Sequence, residues 1–217
     1  MRSMRLACLL LSCALFLAGC SGIYYDAMEK VGIPKRKILV DRVEAARGAQ
    51  QDAKEQFASA LEQFLAVTRV PATELQATYE KLNSEFKRSE SRAKEVRERI
   101  AAIDSVAQAL FKEWNQELAE YTNASLRAQS KRQLAATQDR YADLMRVMEQ
   151  AAARMDPVLD AFRDQVLFLK HNLNAQAISA LGGTTRDLQK DISRLIADME
   201  KSIKEADAFI AAMHAAP

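Results

Sequence analysis

Hydrophobic residues recur along this chain at alternating spacings of three and four, the period of a helix that buries one stripe. The first series is Leu39, Val43, Ala46, Gln50, Ala53, Phe57, Ala60, Phe64 and Val67, an a/d seam with one polar slot at Gln50. It predicts a helix over 36–69, ended by Pro71, because the residue before a proline is driven out of the helical region. Thr73 and Gln76 have capping-box spacing and open a second helix over 73–122. Two seven-residue ladders interleave along it. One is Leu75, Leu82, Ser89, Val96, Ile103 and Leu110; the other is Tyr79, Phe86, Ala93, Ile100, Ala107, Trp114 and Tyr121. Charged residues fill the positions between them, and the heptad runs without a stutter.

Across 122–130 (TNASLRAQS) the residues are polar and the phase is lost. Ser130 and Gln133 form a second capping box, which predicts a reversal here and a third helix over 130–181. One continuous helix with a phase slip is the competing reading. The third helix carries Leu134, Tyr141, Leu144, Met148, Met155, Val158, Phe162 and Leu169, with Pro157 in its middle. That proline removes a backbone donor, so the helix kinks there or splits with Asp156 as its cap. Gly182-Gly183 is the expected stop. Thr184 or Thr185 then caps a fourth helix over 185–213, with three apolar positions in seven. Two shorter helices thus flank two longer ones. The expected fold is all-α, an elongated antiparallel helical bundle with a long two-helix coiled-coil hairpin, in one domain over 36–217.

Composition agrees with that pattern. Six Gly and four Pro are too few for the tight turns of a sandwich or barrel, and Ala, Glu, Lys, Arg and Leu make up half the chain. Two His and three Cys leave no material for a Cys/His-rich metal module.

The N-terminus stands apart. Arg2 and Arg5 precede a short apolar run from Leu6 to Leu17, below the roughly 20 residues a membrane span needs. Leu17-Ala18-Gly19-Cys20 follows and resembles a lipobox. Residues 1–19 then read as a lipoprotein signal peptide and residues 20–35 as the lipidated Cys20 and its tether. The resemblance implies a diacylated Cys20 sulfur with an acylated, palmitate-type amine, which gives stable anchoring. Ser21 behind it, rather than Asp, favours the outer membrane. In the tether, Ser21, Gly22, Gly32 and Pro34 break regularity, while Ile23, Tyr24, Tyr25 and Met28 either cap the bundle or meet the bilayer.

Loss of the leader removes two Arg and leaves 29 basic residues against 29 acidic. The mature chain has no charge excess for nucleic acid, whose binding rests on phosphate neutralisation. Cys8 and Cys13 also leave, so no disulfide is available to it.

Candidate chemistry concentrates in Asp164–Ile178. Val166-Leu167-Phe168-Leu169 faces all directions on a helix, which predicts burial on most sides. Asp164, Lys170, His171, Asn172 and Asn174 around it make a candidate buried polar network, either binding something or setting helix register. Catalytic motifs are missing: the sequence holds no G-x-S-x-G, no Walker A run and no Glu-x-x-His pair. No metal or cofactor is expected. Trp114 and Tyr121 are candidate partner contacts near the hairpin turn, with a seam role as the alternative.

The segments YYDAMEKVGIPKRKILVDRVE and DQVLFLKHNLNAQAI, with the lipobox before them, resemble a proteobacterial lipoprotein family known as domain of unknown function 2959. The resemblance implies a periplasm-facing helical lipoprotein and supplies no activity. The expectation is therefore a non-enzymatic scaffold or adaptor on the periplasmic face of the outer membrane. It would be held by its lipid anchor and would meet an envelope protein partner, with an oligomer left open. A carrier of a lipid or other apolar ligand near Phe168 is the alternative, and a hydrolase centred on His171 a third reading.

Overall fold

The computed structural model describes residues 20–67, 74–172 and 175–215, and every regular element among them is helical. The fold is an all-α bundle. In chain order the helices are α1 (Cys20–Lys30), α2 (Lys35–Val67), α3 (Leu75–Glu117), α4 (Ala124–Ala153), α5 (Met155–His171) and α6 (Ala175–Ala215). The described residues divide between two compact units, those up to 42 with 102–138 and those of 43–101 with the residues from 139 on.

In the second unit the helices alternate in direction. Arg47 pairs with Asp207 and Lys54 with Glu200, so α2 and α6 run antiparallel. Asp52 pairs with Arg92, and Gln56 donates to Glu85, which sets α2 against α3. Arg97 meets Asp156 and Arg163 meets Glu90, which sets α3 against α5. Between them lies an aromatic stack, Phe64 and Phe57 against Phe162, at ring separations of 4.5 and 6.3 Å. The a/d seam explains this core. From Leu39 to Phe64 every seam residue of α2 is buried, Gln50 included. Both ladders of α3 are buried from Leu82 to Leu110, with Tyr79 and Trp114 half-buried at the margins.

In the first unit, α1 ends in a Schellman turn. Ile33 N–H donates to the Met28 carbonyl and Gly32 N–H to that of Glu29, and Gly32 has φ 85°. Only glycine takes that left-handed position without strain. The Pro34 carbonyl then starts α2 by accepting from Lys37 and Ile38. Ser21 and Gly22 lie inside α1, so the tether is helical where an irregular lead-in was expected.

Three boundaries differ from the sequence reading. The reversal exists, but it lies at 118–123, not 122–130. Ser130 does not cap; Asn123 does, its Oδ1 accepting from Ser125 and Leu126 N–H. The polar run after it is the solvated first turns of α4. At Pro157 the helix splits. Arg154 is the N-cap residue of α5 and Asp156 stands in its first turn, where Pro157 needs no N–H. Gly182-Gly183 does not stop a helix: α6 runs through it. Glycine lowers helix propensity by only about 1 kcal/mol relative to Ala, and the break falls earlier, at Asn172, where φ is −132°. Pro71, Thr73 and Asn174 lie outside the described residues. The expected capping pair of Thr73 and Gln76 therefore falls partly outside them; Gln76 Nε2 donates to Glu80.

Candidate functional site

The proposed polar network does not form as a buried cluster. Asp164, Lys170 and His171 are exposed, and Asn172 is half-buried with its amide donating to the Phe168 carbonyl. Helix α5 has one inward stripe, formed by Phe162, Gln165, Val166 and Leu169. Leu167 and Phe168 point outward, at 48 and 39% exposure. Four apolar residues in succession do span the helix circumference, but only two of them find a partner surface. Among the described residues no group of His, Cys, Asp or Glu has the makings of a metal site.

The first unit holds a more organised region. Tyr25 on α1 is buried, its hydroxyl 2.9 Å from Ser105 Oγ on α3. The Arg42 guanidinium lies over its ring and donates to the Ala102 carbonyl. Ten residues on, the buried Lys35 ammonium sits 2.6 Å from Glu29 and 3.1 Å from Glu113, fastening α1, α2 and α3 together. A buried cation needs such partners, because desolvation alone is costly. Burial raises the Glu113 carboxyl above its ordinary value, and the Lys35 ammonium only partly opposes that. The sequence carried a signal for this cluster: Lys35 lies one seam step before Leu39, at a position that must face inward.

Beyond Glu113, α3 and α4 form a hairpin. Trp114 Nε1 donates to Ser130 Oγ at 2.8 Å, and Ser130 is buried. Arg127 reaches back to the Tyr121 carbonyl, so the turn is braced from both sides. Trp114 thus serves the helix pair, while Tyr121, 36% exposed, and Leu126, 52% exposed, present apolar surface. Lys35, at the start of α2, meets Glu113, and the hairpin past that cluster runs from Trp114 through the turn to Ser130.

Among the described residues, no helix is long and apolar enough to cross a membrane. No curated protein and no solved structure matches the chain. One family does, described as Protein of unknown function (DUF2959), and it matches residues 24–213. That span takes in α1 from Tyr24 onward, the Lys35 cluster, the braced turn and almost all of α6, and the chain therefore belongs to the DUF2959 family.

Proposed function

We propose that the chain is a periplasmic lipoprotein anchored to the outer membrane through Cys20, acting as a non-enzymatic coiled-coil scaffold or adaptor in the cell envelope. The observation that carries this reading is the α3–α4 turn. Tyr121 and Leu126 stand exposed on a turn held by Asn123, Arg127 and the Trp114–Ser130 bond. Apolar side chains on a rigid support bind a partner at little entropic cost, and Tyr is enriched at binding hot spots. The formally neutral mature chain also argues against nucleic acid as that partner.

The carrier reading has less support. Phe168, on which it rests, faces solvent. A described cleft of about 260 Å³ lies elsewhere, between α2 and α3, and Gln63, Glu74, Thr78 and Lys81 make much of its wall polar. An apolar ligand asks for a predominantly apolar enclosure.

A photo-crosslinking amino acid at Tyr121 tests the adaptor. A discrete adduct in intact envelopes, missing when the same group replaces the exposed Arg140 and lost on Leu126→Ser, is the expected result. Equal labelling from both positions, or full complementation of a null strain by a Tyr121→Ser/Leu126→Ser chain, removes the case for this turn.

A further inference from the structure

Helix α1 sorts its two tyrosines to opposite sides. Tyr25 is 2% exposed and is held by Ser105 and Arg42. Tyr24 is 47% exposed, its ring edge-on to Tyr25 at 5.3 Å, so a buried neighbour braces an exposed aromatic. Ala27 is exposed as well, and Val31, on the turn that ends the helix, is 71% exposed. Tyr24, Ala27 and Val31 follow at spacings of three and four, which is one face of a helix. One step earlier on that register is Cys20, the first residue of α1.

The distances then decide what covers this face. At about 1.5 Å per residue, Tyr24 lies about 6 Å along the axis from Cys20, and the far end of α1 about 15 Å. The headgroup layer is only about 5–8 Å deep on each side of a bilayer. If acyl chains on Cys20 enter a membrane, Tyr24 stays at or close to that layer even where α1 stands upright. Val31 is the residue that depends on tilt. An upright α1 carries it out into water; a flat one returns it to the layer. Only the flat arrangement covers the most exposed apolar residue of the region. Tyr suits the membrane interface, with an apolar ring and a polar hydroxyl. The exposed Lys30 beside it suits anionic headgroups.

We propose that α1 lies along the bilayer surface on its Tyr24–Ala27–Val31 stripe, so that the lipid anchor fixes the orientation of the first unit as well as its location. This rests on Cys20 being the anchor. The two claims separate because Cys20 is the only thiol of the chain from Cys20 onward, which holds every described residue. It can therefore be coupled to a maleimide phospholipid in phosphatidylethanolamine–phosphatidylglycerol vesicles, whatever the cell does to it. Tryptophan reporters are placed by Val31→Trp and, as control, Tyr121→Trp, each with Trp114→Phe. Interfacial helices sit about 5–10 Å deep, so lipids brominated high on their acyl chains should lower the Val31→Trp emission about twofold. The Tyr121→Trp emission should be unchanged. Emission from Val31→Trp that matches the vesicle-free protein overturns the proposal, as does a blue shift without bromine quenching, which marks cover by a second copy or another protein. Equal quenching at both positions overturns it too, since the chain then adheres without a preferred face. Mass analysis of Cys20 in envelope fractions tests the anchor separately. An unmodified Cys20 there overturns the anchor, and with it the proposal, even where the coupled chain lies flat.

Discussion

Trp114 and Ser130 meet at 2.8 Å across the α3–α4 hairpin, indole N–H to hydroxyl, with the reversal at 118–123 between them. The bond is side chain to side chain and ties two helices whose backbone bonds run within each helix. Trp114→Phe and Ser130→Ala should each lower stability by about 1 kcal/mol. In a double-mutant cycle their coupling should also be about 1 kcal/mol. Urea unfolding of the four proteins measures it. Strict additivity would mean that the bond adds nothing beyond packing.

Asn123 carries the start of α4. Its Oδ1 accepts two backbone N–H groups that have no partner within the helix. Asn123→Ala should therefore cost about 1 kcal/mol, and Asn123→Asp or Asn123→Ser should retain most of the stability. Ser130→Thr, by contrast, should leave the helix start untouched, because Ser130 is not its cap. Amide exchange at Ser125 and Leu126 reports on the cap directly; unchanged protection in Asn123→Ala would refute its role.

Gln50 is the polar slot in the α2 seam, and the structure fills only half of its capacity. Its Oε1 accepts from Ser202 Oγ at 2.8 Å, while its buried Nε2 has no hydrogen-bond partner. An unpaired buried donor costs more than a paired one gains. Ser202→Ala should therefore destabilise by about 1–2 kcal/mol, since it leaves Gln50 without any bond. Gln50→Leu with Ser202→Ala should recover that loss or exceed it, because an apolar pair of similar volume removes the penalty. A double variant less stable than Ser202→Ala alone would show that the polar pair sets the register of α2 against α6.

The reach of the sequence has a physical boundary here. Burial repeats with the helix period, so the heptad alone places Val43, Phe57, Leu82 and Ile103 inward, and all four are buried. The helix ends are less legible. Gly182-Gly183 breaks a helix only if the chain needs to turn there, and the turn is needed ten residues earlier. His171 departs from its expected place for a different reason: a run of four apolar residues reads as buried, yet half of it faces water. An exposed His171 should tolerate His171→Ala within about 0.5 kcal/mol. A larger loss on thermal unfolding would restore it to a structural network.

Glu113 gives the chain a pH dependence of definite sign. Burial holds its carboxyl above the ordinary 4.5 in the folded state, and the Lys35 ammonium offsets only part of that effect. Between the unfolded and folded values the native chain binds more protons than the unfolded one. Stability from this group is therefore fully present below the unfolded value and declines as pH rises through the folded one. The contribution is read as a difference between the parent and a variant without this carboxyl. Glu113→Gln removes the titration and keeps a hydrogen-bonding group beside Lys35, which retains Glu29 at 2.6 Å. Measured by urea unfolding from about pH 4 to about pH 7, the variant should improve relative to the parent as pH rises. The opposite trend, with the parent gaining on Glu113→Gln toward neutrality, would mean that the ion pair with Lys35 outweighs burial at this junction of α1, α2 and α3.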